Sequence, residues 1–350
     1  MKVIKIFLAS SIEDLALDRL HVGAFFNQLN NIYRKRDIGF ELIMCEDYDN
    51  SIALGGKQKE YDREIRESEL VFFLFFRKVG DYTKHEFEVA MEAFKDRKKP
   101  KIITYFKDVT SVDEAAQEVQ AFMQLLDREL GHYYNTYGHI DTLKLGILMQ
   151  IKLLQLDDAR IELKNGEVSL NGQTVVKAEN VPLLHGNQTL RELTAERKRL
   201  QEELDRCRSV YLEDFTPENK DAVYDASAKL NRVSEKLTEV EQDTMALLTT
   251  VVEMTSDGRV LTHRMKDALK YFNQGDYTAV VDILGKDRKN EMRRLRQRAQ
   301  LLNNELQGHV EEGRLLIKAI KAQGLTKDWV EEILNIYRDA AELVEDYDLD

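Results

Sequence analysis

The chain has 350 residues, of which 43% are hydrophobic and 33% charged, with only three prolines, Pro100, Pro182 and Pro217; this predicts more than one packed unit and much exposed helix. A formal net charge of −12 argues against nucleic acid as the main partner, because phosphate binding needs a basic footprint. Cys45 and Cys207 make neither a disulfide framework nor a metal knuckle, no apolar segment is long enough to span a bilayer, and MKVIKIFLAS reads as a strand rather than a signal peptide, so a cytoplasmic setting with no membrane and no metal is expected.

Residues 1–155 alternate strands with helices. Val3–Ala9 is a short apolar strand, and Ser10, Ser11 and Asp14 open a helix with Leu15, Leu20, Phe25, Phe26 and Leu29 on its buried stripe. Phe40–Cys45 is a second strand, Glu46–Gly56 a polar loop and Lys57–Ser68 a charged helix. Leu70–Phe76 is an unbroken apolar run, too short for an ordinary buried helix, so it predicts a strand covered on both faces. After the loop Arg77–Tyr82, a helix from Thr83 puts Phe87, Ala90, Met91 and Phe94 on one stripe. Lys101–Phe106 is the fourth strand. Ser111–Glu114 caps a helix carrying Val119, Phe122, Met123 and Leu126, His132–Tyr137 is a short fifth strand, and Thr142–Leu154 is an apolar helix. The alternation predicts an α/β fold with a parallel sheet wrapped on both faces.

Glu86 then lies just past the carboxyl end of a buried strand, where open α/β sheets bind ligands. It also has a purely local role open to it. Thr83-Lys84-His85-Glu86 reads as a capping box, with Glu86 reaching back to the N–H of its cap. Other chemistries lack their motifs. Gly55-Gly56-Lys57 misses the phosphate-loop spacing, and no GxGxxG follows the first strand. His132 and His139 stand outside ligand register and read as a surface pair. No GxSxG elbow is present, and Glu46, Asp47 and Asp49 read as a solvated loop.

KIFLASSIEDL, the glycine-containing loop after the second strand, EIRESELVFFLF and the strand leading to YTKHEF together resemble the TIR (Toll/interleukin-1 receptor) domain, in a bacterial TIR-like version. The resemblance covers roughly the first 150 residues, one domain's length. It implies a flavodoxin-like five-stranded parallel sheet. In enzymatic members it also implies cleavage of the nicotinamide–ribose bond of NAD by a glutamate on the third helix, with an aromatic four positions earlier. Glu86 and Tyr82 hold that spacing, although the family more often has Trp where this chain has Tyr82. A lone carboxylate suits the reaction, since nicotinamide leaves neutral and positive charge builds on the ribose. NAD is thus the expected substrate, with no other cofactor. Tyr82 would wall the nicotinamide or plug the sheet end. Ser10, Ser11 and Asp14 would face the crevice or cap a helix. Arg77 would meet the pyrophosphate or stay solvated. The Glu46–Gly56 loop would close the site and mediate assembly, or serve as an ordinary connection. Two alternatives stay open: a non-catalytic TIR scaffold acting by homotypic contact, and an enzyme like the nucleoside deoxyribosyltransferases.

Residues 156–186 alternate polar and apolar around Asn165-Gly166 and Asn171-Gly172, which predicts a small β meander that must pack on a neighbour. Residues 187–250 predict an antiparallel coiled-coil hairpin. Its first helix, opened by the capping box Thr189–Glu192, carries Leu190, Leu193, Leu200, Leu204, Cys207 and Tyr211, with Arg197 the one polar break. Its second restarts at Thr216-Pro217 and carries Val223, Ala226, Leu230, Val233, Leu237, Val240 and Leu247. In residues 251–350, Asp257-Gly258 marks a turn and ALKYFNQGDYTAVVDIL resembles the turn of a tetratricopeptide-like helical pair. Arg293, Arg294, Arg296 and Arg298 read as a solvated helix face, and Thr326–Leu349 as a last amphipathic helix with Trp329, Ile333, Ile336 and Ala340. The whole build resembles bacterial anti-phage defence effectors. That implies self-association through the TIR-like and helical regions, and an activating protein on the helical region.

Overall fold

A computed structural model describes residues 1–44, 57–108, 114–129, 131–156, 159–256, 261–286, 288–323 and 338. Cys45, the Glu46–Gly56 loop, Ser111–Asp113, Asp257-Gly258 and, save for Arg338, the expected helix Thr326–Leu349 lie outside the described residues.

Five parallel strands form one sheet in the order β2-β1-β3-β4-β5. They are β1 Lys2–Ser10, β2 Ile38–Ile43, β3 Leu70–Phe75, β4 Lys101–Lys107 and β5 Tyr134–Tyr137. Helices α1 Ala16–Tyr33, α2 Lys57–Glu67, α3 Asp81–Arg97, α4 Glu114–Gln124 and α5 Ile140–Lys152 connect and flank them. The predicted α/β class with its five-stranded parallel sheet is the observed one.

All six residues of β3 are buried, as its unbroken apolar run requires. Alternate side chains serve two cores. Leu70, Phe72 and Leu74 join Phe25 and Leu29 of α1 and Leu148 of α5. Val71, Phe73 and Phe75 join Ile65, Phe87 and Phe122 from α2, α3 and α4. Each fully buried phenylalanine contributes on the order of 2–3 kcal/mol, so this strand anchors both layers.

The stripe predicted for α1 is corrected at one position. Leu20 is 70% exposed, whereas Asp18 and Arg19 are buried. Asp18 Oδ2 accepts from Lys107 Nζ at 2.8 Å and from the Tyr137 hydroxyl at 3.0 Å. The inner face of α1 therefore carries charge because partners at the ends of β4 and β5 satisfy it. The histidines are not a surface pair either. His132 is within 3.1 Å of the Thr104 hydroxyl and packs edge-on to Phe87, while His139 caps α5 through the N–H of Asp141. Burial pushes the His132 imidazole down to about 4.

The connector is a three-stranded antiparallel sheet, β6 Ile161–Lys164, β7 Glu167–Leu170 and β8 Gln173–Lys177. Its turns place Asn165-Gly166 and Asn171-Gly172 at positive φ, the conformation those dipeptides favour in tight hairpins. Val168, Leu170 and Val176 belong to the same apolar cluster as α1 and α5. After the short helix α6 Pro182–His185 comes the hairpin of α7 Gln188–Glu213 and α8 Pro217–Ser256. The cap of α7 is Asn187, whose side chain accepts from the Leu190 N–H at 3.1 Å, rather than Thr189. Leu200 and Leu204 pack on Ala226 and Leu230 as the heptads predict. Further along α8 the seam moves. Leu247 is exposed, and Met245 and Leu248 are buried against the main core instead. A straight helix drifts from a 3.5-residue repeat, and by this point the drift has carried Leu247 off the inner face.

Helices α9 His263–Asn273 and α10 Tyr277–Gly285 form the single helical pair recognised in the sequence. Its turn glycine, Gly275, has φ +77 and lies against Pro182 and Gly186, where a Cβ would overlap backbone. Lys266 Nζ on α9 meets Asp127 Oδ1 at 2.6 Å, tying the pair to the α/β layer. Residues Met1–Ile283 make one compact unit and Leu284–Asp350 a second. The main apolar cluster runs from Ile4 to Phe272, across the boundaries expected at 155, 186 and 250. The second unit holds α11 Arg288–Gln323, on which Arg293, Arg294, Arg296 and Arg298 are exposed. Among the described residues, no helix is long and apolar enough to cross a membrane.

Candidate functional site

The chain leaves β2 at one edge, crosses to β3 beside β1, and thereafter builds outward the other way. The carboxyl ends of β1 and β3 therefore flank the point where the strand order reverses, the position at which open sheets leave a crevice. A cavity of about 610 Å³ lies there. Ser10 and Ser11 line it from the end of β1, Gln58 and Tyr61 from α2, and Tyr82 and Glu86 from α3.

Helix α3 starts earlier than its sequence suggests. Gly80, at φ 66, is its N-cap and no side chain caps it, so Asp81 is the first helical residue. Thr83 is then inside the first turn and Glu86 in the second, and the expected capping box is not formed. The physical cause is Gly80, which turns the chain into the helix in a conformation that side-chain-bearing residues rarely adopt. Displaced from the terminus, the Glu86 side chain lies at the cavity floor, 6% exposed. No hydrogen bond or ion pair reaches its carboxylate among the described residues. Burial pushes that carboxyl up to about 7; the Arg19 guanidinium pulls the other way, and Asp62 pushes it higher.

Arg19 stands behind the cavity wall. Its Nη1 donates to Ser10 Oγ at 2.6 Å and to the Ser10 carbonyl at 3.3 Å. With its oxygen engaged as acceptor, the Ser10 hydroxyl keeps its hydrogen for another partner. The signal for Arg19 was legible: Leu15, Arg19, Val22, Phe26 and Leu29 fall at alternating four- and three-residue spacing, which places a charge on a buried stripe.

Of the six residues predicted for the site, four line the cavity: Ser10, Ser11, Tyr82 and Glu86. Tyr82 is 78% exposed, so it plugs nothing and stands at the mouth. Asp14 does not line the cavity; its N–H donates weakly to Ser11 Oγ at 3.5 Å, and its buried Oδ2 has no hydrogen-bond partner among the described residues. Arg77 is also elsewhere, its guanidinium 5.2 Å above the Phe76 ring. Lys78 takes the place expected of Arg77. It lines the mouth and pairs with Glu13 at 2.8 Å, which holds the Glu13 carboxyl below its ordinary range and the Lys78 amine above its own. No local pattern in the sequence separates Lys78 from Arg77.

No protein-family model matches the chain, and no curated protein matches it. Chemically, the cavity offers a desolvated carboxylate with no partner among the described residues, a serine hydroxyl on its β1 wall and an aromatic ring at its mouth. Such a carboxylate is suited to stabilising a cation that forms next to it.

Proposed function

We propose that the α/β unit is a TIR-like NAD glycohydrolase acting through Glu86, in a cytoplasmic effector switched on by self-association. The observation that carries this reading is a buried Glu86 carboxylate with no partner among the described residues, lining a cavity at the sheet's switch point. The order and spacing of the TIR-like motifs add independent support. The N–C1′ bond breaks with its electron pair going to the pyridinium nitrogen, so nicotinamide leaves neutral without an acid. Positive charge spreads over C1′ and O4′ of the ribose, and ionised Glu86 stabilises it. Water then supplies the hydroxyl group at C1′ and releases a proton, giving ADP-ribose. The Ser10 hydroxyl donates to a substrate acceptor, and the Tyr82 ring covers the nicotinamide. A permanently active enzyme of this kind would exhaust NAD, which is the physical reason to place activity under assembly.

The scaffold reading has support of its own. Ile12, Leu17 and Leu20 are exposed apolar residues on or next to α1, suited to a homotypic contact. The test is NAD consumption by the concentrated full chain, with products resolved by chromatography, beside Glu86→Gln and Glu86→Ala. Nicotinamide release by wild type and its loss in both folded variants is the expected result. Assembled wild type that leaves NAD intact establishes the scaffold, and base exchange on deoxynucleosides establishes the transferase.

A further inference from the structure

The cavity has one buried acid at its floor and charges of both signs at its rim. The acid at the floor, Glu86, is 6% exposed, whereas the Lys78 side chain at the rim is 45% exposed. Lys78 is the one cation among the described lining residues, and Glu13, Asp81 and Glu86 are the acids. An anion arriving at this rim meets carboxylates unless it takes the lysine. Glu13 already holds that lysine at 2.8 Å, from a side chain 80% exposed. Exposed pairs of this kind are weak, so a stronger multivalent anion displaces the carboxylate readily. A ligand cationic at one end and anionic at the other matches Glu86 at the floor and Lys78 at the rim. Arg77 does not line this cavity; its guanidinium lies over the Phe76 ring.

We infer that Lys78 is the phosphate-recognising residue of this cavity, with Glu13 as its resident counter-ion. The substrate is then a phosphate-bearing pyridine nucleotide rather than a bare nucleoside. The inference rests on the NAD-cleaving reading of the same cavity and narrows it. Pyridinium goes down to Glu86, diphosphate stays at the rim on Lys78, and Glu13 swings away.

Titration calorimetry of the purified full chain with ADP-ribose tests this without turnover. Lys78→Met should weaken binding about tenfold, and Glu13→Gln should tighten it about two- to fivefold by removing the competitor. In the double variant Glu13→Gln should give no gain, because the group it competes for is gone. In steady state, Lys78→Met should raise KM for NAD about tenfold relative to KM for nicotinamide riboside, with kcat little changed. Equal effects on NAD and nicotinamide riboside, ADP-ribose binding indifferent to Lys78, or no ADP-ribose binding by wild type would each overturn the inference. The two readings fail separately. ADP-ribose held through Lys78 by a protein that leaves NAD intact removes the hydrolase and keeps this site. NAD cleavage with KM untouched by Lys78→Met does the reverse.

Discussion

Glu86 and Glu241 are buried almost equally, 6% and 4% exposed, in two regions built on different plans. Glu241, on the inner face of α8, accepts from the Asn165 N–H at 2.6 Å, and the Asn165 side chain in turn accepts from Arg197 at 2.6 Å. Burial pushes the Glu241 carboxyl up, while that N–H, Arg197 and Lys164 pull it down. This acid locks the tight turn of the connector to the hairpin, and it accounts for Arg197 interrupting the apolar seam of α7. Glu86 has none of these partners among the described residues and opens on a cavity. Depth of burial is therefore silent about role. What separates the two carboxylates is whether donors among the described residues have used them up.

The sharpest way to break the contrast is to neutralise each acid. Glu86→Gln should lower NAD cleavage by about 10³-fold, whereas Glu241→Gln should leave turnover per folded molecule unchanged; equal losses would erase the distinction. Stability should respond the other way round. Glu241→Ala removes the acceptor of the part-buried Asn165 N–H and should cost about 1–2 kcal/mol in urea unfolding. Glu86→Gln should stabilise the fold by about 2 kcal/mol at pH 8, less than the full shift implies because one side of the carboxylate opens on the cavity. Its folded value of about 7 lies above the ordinary carboxyl value of 4.5. The folded state thus holds the extra proton between those values, and stability relative to the glutamine variant is lost as pH rises through them. The gap in midpoint should open from pH 4.5 to 7 and then level off. A gap that instead closed with rising pH would mean Glu86 has a donor after all.

Sequence patterns carry local packing well and long-range partnership poorly, and the two glutamates show why. The apolar run of β3, the two Asn-Gly turns and the heptads around Leu200 and Ala226 each follow from spacing along the chain. So does the sheet's order of alternating elements. Glu86 was legible as a candidate because it follows a buried strand. Its freedom from capping was not, since that depends on Gly80 starting α3 two residues before Thr83. Asp18 and Glu241 were missed altogether. Their donors, Lys107, Tyr137 and Asn165, lie far away in sequence, and periodicity alone reads a charged residue on a helix as solvent-facing. Arg19 is the intermediate case: its place on the buried stripe could be counted, but its contact with Ser10 could not.

The smallest expected effect isolates the charge on Glu86 itself. Catalysis by the proposed route needs the ionised carboxylate, and burial pushes that carboxyl up to about 7. The value of kcat/KM for NAD should therefore rise about tenfold between pH 6 and pH 8. The kcat profile should reach its plateau at lower pH, because a bound pyridinium cation favours the ionised form of a neighbouring acid. Arg19→Met removes the positive charge that opposes the burial effect, so it should move the kcat/KM midpoint upward while leaving the direction of the profile intact. Glu241 supplies the control, since its titration touches only the joint between connector and hairpin. A kcat/KM profile flat across neutral pH, or a midpoint insensitive to Arg19, would mean that the proton on Glu86 does not govern the reaction.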